Sequence, residues 1–444
     1  MVTPRREAVN TVGFIDNYCQ HYYSIFEDVR HFEAFKYLHL GILSEIPQKS
    51  LPKIAKTVGL KSSQSLHHFL RDAQWDTKKL RQMRLWLTRI LIGEREIILC
   101  VDETGDKKKG KATEYVTRQY IGNLGKTENG IVSVNAYGVV DGITDPLLFQ
   151  IFKPKNRLKP GDKYKSKPQI AIDMIQESKE WGFKIKLVLA DSLYGESGDV
   201  ISCIEKLQMM FIVAIRSNHG VLIPPGSRKR DNRWKAYQQK LSHRPTETRY
   251  LREIIFGKRH RRRYYQISKT NNPDPTGEES WYIMTNLSVD LSPNVAELYS
   301  LLNWIEYGFK QVKNELGWAD FRLTDYKSIE RWWEIIFSAY LLVSIQAASF
   351  QFSPQSSPTS TSLVPDSSDS NISQHSQHPD WESGTTWKSA LNNLRLIIQP
   401  YIFYCLIQSW LQVFNIPGMK HCFLKLIHFM NDFRASPVSF SIAS

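Results

Sequence analysis

The chain has 444 residues, 42% of them hydrophobic, which is enough for packed cores in about two to four structural units. Lysine and arginine outnumber aspartate and glutamate by 58 to 44, and the net charge of +14 favours a polyanionic partner, most often nucleic acid, over a merely basic soluble protein. The five scattered cysteines form no CxxC pair, which argues against a zinc site or a disulfide framework, and the N-terminus lacks a signal-peptide core, so we expect a reducing cytoplasm.

Residues 1–93 carry apolar positions at helical spacing and are predicted to form a helical DNA-binding domain. Within them, residues 50–72 predict a helix-turn-helix, with Ile54 in the first helix and Leu66 in the second. Gly59 stands at the turn, where two packed helices often require a positive φ. The second helix of such a motif enters the major groove of DNA. An ordinary helical hairpin has the same pattern, so both interpretations stay open.

From residue 94 the pattern changes to short apolar runs bounded by turn or acidic residues, which is typical of buried strands. Antiparallel strands come first and helices then alternate with strands, so residues 94–222 are predicted to form the first part of an α/β core with mixed strand directions. The predicted strands are 96–104, 131–140, 146–152, 185–195 and 210–217, and the predicted helices are 168–182 and 198–208.

Four further segments follow. Residues 223–286 are predicted to be a basic, β-rich insertion, and residues 287–350 a long helical region that completes the core. Residues 351–386 are rich in Ser, Pro and Gln and cannot bury enough apolar surface to fold, so a disordered linker is expected there. Helical periodicity returns in residues 387–444. The strand-like runs of the insertion are 248–256, 262–268 and 280–287.

One stretch, Ile335 to Phe352, carries no charge and resembles a membrane span. It contains Ser338, Ser344 and other polar residues, and it falls short of the ~20 residues that a bilayer requires. We therefore predict a buried helix and no membrane partner.

Two of the predicted strands deliver an aspartate, Asp102 in VDET and Asp191 in VLADSLYG. If these strands lie side by side, both carboxylates project from one edge of the sheet, where α/β folds place their sites. An aspartate at a strand end is more often a cap than a ligand, so neither residue alone indicates a function.

A third acid, Glu306, lies in the long helical region. It shares one predicted helix face with Tyr299, Leu302, Lys310 and Lys313, because these residues follow one another in steps of three and four. An acid flanked by a phenol and two lysines can hold a metal ion beside bound phosphates. A solvated face with a Glu306–Lys310 ion pair explains the same pattern.

In combination, these motifs resemble those of the DDE transposases of bacterial insertion sequences, the ribonuclease H-like group with a β-strand insertion before the glutamate. The resemblance covers roughly residues 95–345, and the gaps of 89 and 115 residues between the three acids leave room for the insertion. The lysine- and glycine-rich segment 105–126 is also similar to one branch of the family. The matches are Asp102 and Thr104 to D-x-T, Asp191, Tyr194 and Gly195 to D-x-x-Y-G, and Tyr299, Glu306 and Lys313 to Y-x2-R-x3-E-x6-K.

The resemblance implies a fold, a chemistry and partners. It implies a ribonuclease H-like mixed α/β sheet in which Asp102, Asp191 and Glu306 hold two Mg²⁺ ions, with Mn²⁺ as a substitute. It implies cleavage of the element's ends and joining of the freed 3′-hydroxyls to target DNA. The implied partners are double-stranded DNA, in terminal inverted repeats and in the target, and a second copy of the chain in a homodimer. The implied location is the bacterial cytoplasm, at the nucleoid.

Contacts to DNA are expected from basic and aromatic residues. The basic segment 153–168 is expected to bind the DNA backbone. Trp281 stands where related transposases carry an aromatic residue that stacks on a flipped base, although a structural tryptophan in a strand is an equal alternative. The expected DNA-binding residues are Lys107, Lys108, Arg259, Arg261, Arg262, Arg263, Trp281, Tyr299, Lys310 and Lys313.

One position departs from the family's pattern. Leu302 stands where the third motif has arginine, and leucine cannot contact a phosphate. Either Lys310 compensates or the site is impaired. Two alternatives therefore accompany the transposase: a catalytically impaired, transposase-derived DNA-binding regulator, and a metal-dependent, structure-specific nuclease. Cleavage with Mg²⁺ separates the transposase from the first, and joining of the cut 3′-hydroxyl separates it from the second.

Overall fold

A computed structural model describes residues 6–110, 112–223, 225–241, 244–257, 261–271, 280–287, 292–352, 378–414 and 416–432. These residues fall into two compact units. One unit comprises the residues up to Asp76 together with those from Ser338 onward, and the other comprises Thr77–Phe337.

Helices predominate at both ends of the described chain and strands in its middle. In chain order the elements are α1 (Gly13–Gln20), α2 (Val29–Leu43), α3 (Leu51–Thr57), α4 (Gln64–Arg71), α5 (Thr77–Ile92), β1 (Glu96–Lys107), β2 (Thr117–Ile121), β3 (Lys126–Val140), β4 (Ile143–Ile151), α6 (Lys167–Glu180), β5 (Lys184–Ala190), α7 (Ser192–Gly195), α8 (Gly198–Lys206), β6 (Met210–Ile215), β7 (Lys229–Asp231), β8 (Lys235–Leu241), β9 (Arg244–Phe256), β10 (Arg263–Ser268), β11 (Ser280–Thr285), α9 (Ser292–Ser300), α10 (Asn303–Lys310), α11 (Tyr326–Phe352), α12 (Trp387–Val413) and α13 (Met419–Asp432).

The predicted helix-turn-helix corresponds to α3 and α4. Ile54, Leu66 and Phe69 are buried, and Gly59 has a φ of +78°, which its place in the turn requires. The indole N–H of Trp75 donates to the carbonyl of Phe69 at 2.8 Å, and the two rings stack, which fixes the end of α4. The pair of helices is present, and DNA binding by α4 stays a prediction.

The charge-free stretch within α11 is a buried helix, as the sequence predicts. Its side chains from Ile335 to Val343 are buried. The Tyr18 hydroxyl donates to the carbonyl of Ser338 at 2.9 Å, and Nε2 of His39 lies 2.9 Å from the Ser338 hydroxyl. Packing on protein therefore accounts for its apolar character.

The strands form one mixed sheet with the order β2-β3-β1-β5-β6-β11-β10-β9-β7, in which β4 also pairs with β3 and β8 with β9. β1, β5 and β6 are parallel to one another, and the other neighbours are antiparallel. This arrangement confirms the predicted ribonuclease H-like α/β fold with mixed strand directions.

The predicted insertion does not form a sheet of its own. β11 pairs with β6, and β10 and β9 follow, so the strands of residues 223–286 extend the core sheet. The sequence missed β2, β7 and β8. These strands are largely exposed, so they lack the apolar run or alternation on which strand prediction depends.

The two faces of the sheet have different surroundings, because successive side chains of a strand point to opposite sides. Leu99 and Val101 of β1 lie in an apolar core with residues of α6 and α8. Cys100 points to the other face, where its thiol donates to the carbonyl of Leu301 at 3.8 Å. Asp102 shares that face, so α10 begins close to the strand that carries it.

The helical region after the sheet is interrupted, which corrects the prediction that residues 299–313 lie on one helix. The N–H groups of Leu301 and Leu302 bond to carbonyls three residues back, and this tight turn separates α9 from α10. After α10 the chain forms a π-helical turn, Gln311–Glu315. Tyr299 therefore lies in α9, Glu306 in α10 and Lys313 in the π-helical turn, and the three residues do not belong to one regular helix.

The unit boundaries differ from the predicted domains. α5, predicted within the N-terminal domain 1–93, belongs to the sheet unit, because Leu85 packs in the sheet core and the Arg84 guanidinium donates to the carbonyls of Pro146 and Leu147. Residues from Ser338 onward belong to the other unit. Of the predicted linker 351–386, residues 353–377 lie outside the described residues.

Candidate catalytic site

Asp102 and Asp191 occupy matched positions on neighbouring strands. β1 and β5 are parallel, Val101 lies opposite Ala190, and each aspartate is the next residue along its strand. A carboxylate oxygen of Asp191 accepts the N–H of Leu193 at 2.9 Å, so this residue also caps the short helix α7. The register of the sheet therefore brings the two predicted acids together, and for Asp191 the cap interpretation holds as well.

The two carboxyl groups are half-buried and crowded by negative charge. Burial raises the pKa of Asp102 well above its usual range, and the carboxylates of Asp191, Glu103 and Glu306 raise it further. Burial likewise raises the pKa of Asp191, and the charge of Glu103 adds to it. Such crowding is unfavourable unless a proton or a cation compensates the charge.

α10 carries Glu306 towards the face of the sheet that bears Asp102. Gly308 lies against Tyr137, where a Cβ atom would come within 2.7 Å of the ring, so the absence of a side chain allows this approach. Tyr137 of β3 pairs with Cys100 of β1, and Cys100 lies two residues before Asp102. Glu306 is exposed, and its charge contributes to the raised pKa of Asp102. The third predicted carboxylate is thus a neighbour of the pair.

The other residues of the third motif have different surroundings. Burial raises the pKa of Tyr299, and the charges of the two aspartates raise it further, which places its phenol near both. The Lys313 ammonium donates to the carbonyl of Gly105 at 2.8 Å and pairs with Asp106 at 2.9 Å. Lys310 is exposed. Lys313 is therefore held by Gly105 and Asp106 near the end of β1. This contact within the protein differs from the predicted contact with a phosphate.

The donor atoms at this edge fit a divalent cation. Carboxylate and amide oxygens are the ligands that Mg²⁺ prefers. The buried Oδ1 of Asn135, the β3 partner of Asp102, has no hydrogen-bond partner among the described residues, and neither has the buried hydroxyl of Tyr194. Within the same residues, no three Asp, Glu, His or Cys side chains are grouped as a metal site. Asp102 and Asp191 offer two ligands, and Glu306 becomes a third if its exposed side chain turns towards them.

An ion pair that the sequence did not predict lies beside the aspartates. Lys167, the first residue of α6, pairs with Glu103 at 2.7 Å, and the two side chains are only 17% and 16% exposed. The start of α6 therefore lies near the acidic edge, where the helix dipole stabilises negative charge. Glu103 lies within the first motif, so its position near Asp102 could be predicted. Its pairing with Lys167 could not be predicted, because no spacing in the sequence connects the two residues.

Trp281 lies on the same face and at the same end of the sheet as the aspartates. The register between β5 and β6 places Asp191 opposite Ala214, and Ala214 pairs with Ile283 of β11. Trp281 lies two residues before Ile283 in β11, so its side chain points to the same face of the sheet. Two strand spacings separate β5 from β11, about 10 Å. Trp281 is 40% exposed, and the Arg249 guanidinium lies 4.9 Å from the centre of its ring. Base stacking by Trp281 stays a prediction.

Two arginines of the predicted DNA-binding run are held inside the sheet unit. Arg262 makes two hydrogen bonds to the carboxylate of Glu205 in α8, at 2.9 and 2.8 Å. Arg263 is 8% exposed and pairs with Glu253 at 2.9 Å. These pairs make both guanidinium groups less available to DNA than predicted, and DNA contact by Arg262 and Arg263 stays a prediction.

The remaining predicted cations differ in exposure. Arg261 is exposed, and Arg259 lies outside the described residues. Lys107 is exposed and pairs with Glu128 at 3.1 Å. The ammonium of Lys108 lies 3.6 Å from the centre of an aromatic ring of the protein, and burial lowers its pKa. Arg261 and Lys107 are therefore better placed than Lys108 to meet a phosphate.

Comparisons with known proteins decide the family. The family model described as DDE superfamily endonuclease matches residues 21–271, which include both aspartates and end before Glu306. A protein of Microchaete diplosiphon described as "Probable transposase for insertion sequence element IS701" is 54% identical over 334 residues, covering 74% of this chain and 87% of that relative. The chain belongs to the DDE superfamily of endonucleases.

Membership confirms the resemblance to DDE transposases of insertion sequences that the three motifs indicated. A DDE superfamily endonuclease depends on a divalent metal, and the edge formed by Asp102 and Asp191 has donor atoms that fit one. The family match does not reach Glu306, so its assignment depends on the placement of α10.

Proposed function

We propose that this DDE endonuclease is the transposase of an insertion sequence, which cuts the ends of its element and joins the freed 3′-hydroxyls to target DNA. The observation that carries the proposal is the matched placement of Asp102 and Asp191 on neighbouring parallel strands, next to the helix that bears Glu306. The relative described as a probable insertion-sequence transposase, 54% identical to this chain, supports the same activity.

The three carboxylates are proposed to hold two Mg²⁺ ions, which would activate a water or a 3′-hydroxyl and stabilise the departing 3′-oxygen. The chain's own part is to fix these oxygens. The register of β1 and β5 sets the spacing of Asp102 and Asp191, and the contact of Gly308 with Tyr137 sets the distance of α10 from the sheet. A cation would also relieve the repulsion among the acids.

Double-stranded DNA is the proposed substrate, both as terminal inverted repeats and as target. α4 of the helical unit is proposed to read the repeats. In the sheet unit, Tyr299, Lys310 and Trp281 are proposed to contact the strand being cut, and Arg261 the backbone. Joining exchanges one phosphodiester for another, so it needs no ATP. Because an element has two ends, we propose a homodimer on the DNA, acting at the nucleoid in the bacterial cytoplasm.

The test uses the full chain and labelled DNA that spans the flanks of its own gene. With Mg²⁺ we expect cleavage at the element's ends and, with added target DNA, a joined product; EDTA should abolish both. Cleavage without joining would identify a structure-specific nuclease instead. Binding of the ends without cleavage would identify a DNA-binding regulator that keeps the fold.

A further inference from the structure

Asn135, a fully buried residue of β3, has a side-chain oxygen without a hydrogen-bond partner among the described residues. Its Nδ2 donates to the carbonyl and to the hydroxyl oxygen of Ser133, both at 3.0 Å. A carbonyl oxygen can only accept a hydrogen bond, so the amide nitrogen must face Ser133. The orientation of the amide is therefore fixed, and Oδ1 faces away from Ser133.

The side chain of Asn135 lies beside that of Asp102. The two residues are directly opposite in the register of β3 and β1. Val134 and Ala136, on either side of Asn135 in sequence, point into the apolar core, so Asn135 points to the other face of the sheet, which also bears Asp102. The Cβ atoms of such opposite residues are about 4.5–5.5 Å apart. The amide of Asn135 and the carboxyl group of Asp102 are therefore direct neighbours.

A second buried asparagine of the sheet unit illustrates a purely structural role. Oδ1 of Asn286 accepts the N–H of Phe211 at 2.8 Å, and its Nδ2 donates to the carbonyl of Met209 at 3.0 Å. Both ends of this amide are paired, and they connect the end of β11 with the start of β6. A buried oxygen without a partner destabilises the fold. Structural pairing therefore explains Asn286 completely and Asn135 only in part.

We propose that Asn135 is a positioning residue of the metal site: its Oδ1 accepts a hydrogen bond from a water molecule bound to the cation at Asp102. Mg²⁺ keeps several waters of its shell when it binds a protein, and each of these waters is a donor. An acceptor in a fixed orientation holds such a water, and with it the ion, close to β1 and β3. The inference rests on the proposed function, which places the cation at Asp102.

The test measures two properties of the full chain without DNA. One is the melting temperature in EDTA, and the other is the affinity for Mn²⁺, determined from the electron paramagnetic resonance signal of the free ion. Asn135→Leu keeps the branched shape of the side chain and removes the amide, and the smaller Asn135→Ala tests the same loss without a steric clash. Asp102→Asn identifies which bound Mn²⁺ belongs to the site.

The matched control is Asn286→Leu, which makes the same substitution in a buried asparagine of the same unit. Asn286 contacts the start of β6, whereas the two aspartates follow the opposite ends of the parallel strands β1 and β5. We expect Asn286→Leu to melt about 2–6 °C below the wild type, because the N–H of Phe211 loses its acceptor. Its affinity for Mn²⁺ should equal that of the wild type.

For Asn135→Leu we expect the reverse pattern. Its melting temperature in EDTA should lie within about 2 °C of the wild type, because removal of the unpaired oxygen offsets the loss of the bonds to Ser133. The dissociation constant for Mn²⁺ at the site should rise about 10- to 100-fold, as in other proteins that lose a residue behind the metal ligands. A purely structural role does not weaken ion binding in a protein of unchanged stability.

Several results overturn the proposal: wild-type affinity for Mn²⁺ in both Asn135 variants, unfolding of both, or an equal loss of affinity in Asn286→Leu. A wild type that binds no Mn²⁺ at the site identified by Asp102→Asn overturns it as well. No DNA is cut in this experiment. Failure of the proposed function would instead appear as a wild type that binds Mn²⁺ but neither cleaves nor joins DNA, so the two failures are distinguishable.

Discussion

Two charged regions of the sheet unit differ in how their charge is balanced. At the acidic edge, Asp102 and Asp191 are half-buried with other acids close by. Burial raises the pKa of both carboxyl groups, and the neighbouring carboxylates raise it further, although Lys167 lies near. At the start of β10, Arg263 and the preceding residue, Arg262, each have a carboxylate within 3 Å. The negative charge of the acidic edge can therefore be neutralised by a bound ligand, whereas the positive charge of the two arginines is neutralised by carboxylates of the protein. Unbalanced charge, rather than dense charge, marks the site.

Removing one acid from the edge should have the largest effect. We expect Asp102→Asn, Asp191→Asn and Glu306→Gln each to lower the rate of DNA cleavage by about 10³-fold or more, because bound metal supplies most of the charge stabilisation at the leaving oxygen. Gel-shift affinity for DNA should change little. Asp141→Asn, in the exposed turn between β3 and β4, is the matched control. Near-normal cleavage by any one of the three variants removes that residue from the site.

The sequence could predict Asp102 and Asp191 because each one comes at the end of a buried apolar run, and the ends of parallel strands meet at one edge. It could not predict the pair of Glu103 with Lys167, since that contact depends on where α6 lies against the sheet. The pairing of Arg263 with Glu253 could not be predicted either, because a run of basic residues in the sequence does not show which carboxylates lie on the neighbouring strand.

The helix that carries Glu306 shows a different limit. Steps of three and four residues predicted one continuous face, but the turn at Leu301 and Leu302 and the π-helical turn after Lys310 interrupt it. The turn carries the carbonyl that accepts the hydrogen bond of Cys100, a tertiary contact that no helical periodicity reveals.

The arginine pairs offer a second way to break the comparison. Arg263→Ala leaves Glu253 buried without this partner, and we expect a loss of about 3–5 kcal/mol in the free energy of unfolding, measured with urea. The salt dependence of DNA binding should not change. Arg261→Ala should leave stability within about 0.5 kcal/mol and reduce the salt slope by roughly one unit. The reverse result, a stable Arg263→Ala variant with a flatter salt slope, would show that dense charge does mark the DNA contact.

Lys310 sharpens the comparison, because it is an exposed cation one turn beyond Glu306. Leu302 stands where the motif has arginine. If Lys310 takes over the role of that arginine, Lys310→Ala should slow cleavage by the equivalent of ~1.5–3 kcal/mol, about 10- to 150-fold. Adding Leu302→Arg to the Lys310→Ala variant should then restore part of the rate. Lys186→Ala, an exposed lysine near the start of β5, is the control. A silent Lys310→Ala, together with a gain from Leu302→Arg alone, would favour an impaired enzyme.

The smallest effect concerns stability without metal. The pKa of Asp102 is raised on folding, so the folded state binds its proton more tightly than the unfolded state does. The free energy of unfolding therefore falls as pH rises above ~3.9, the pKa of an aspartate in the unfolded state. The loss is complete at pH values above the pKa of Asp102 in the folded state. In EDTA, Asp102→Asn should raise the melting temperature by about 2–4 °C at pH 8, the shift expected for roughly 1 kcal/mol, and by less at pH 5. Mg²⁺ should stabilise the wild type more than the variant. Equal pH dependence in the wild type, Asp102→Asn and the exposed control Asp141→Asn would mean that solvent already balances the acidic edge, and the contrast with the arginine pairs would then be lost.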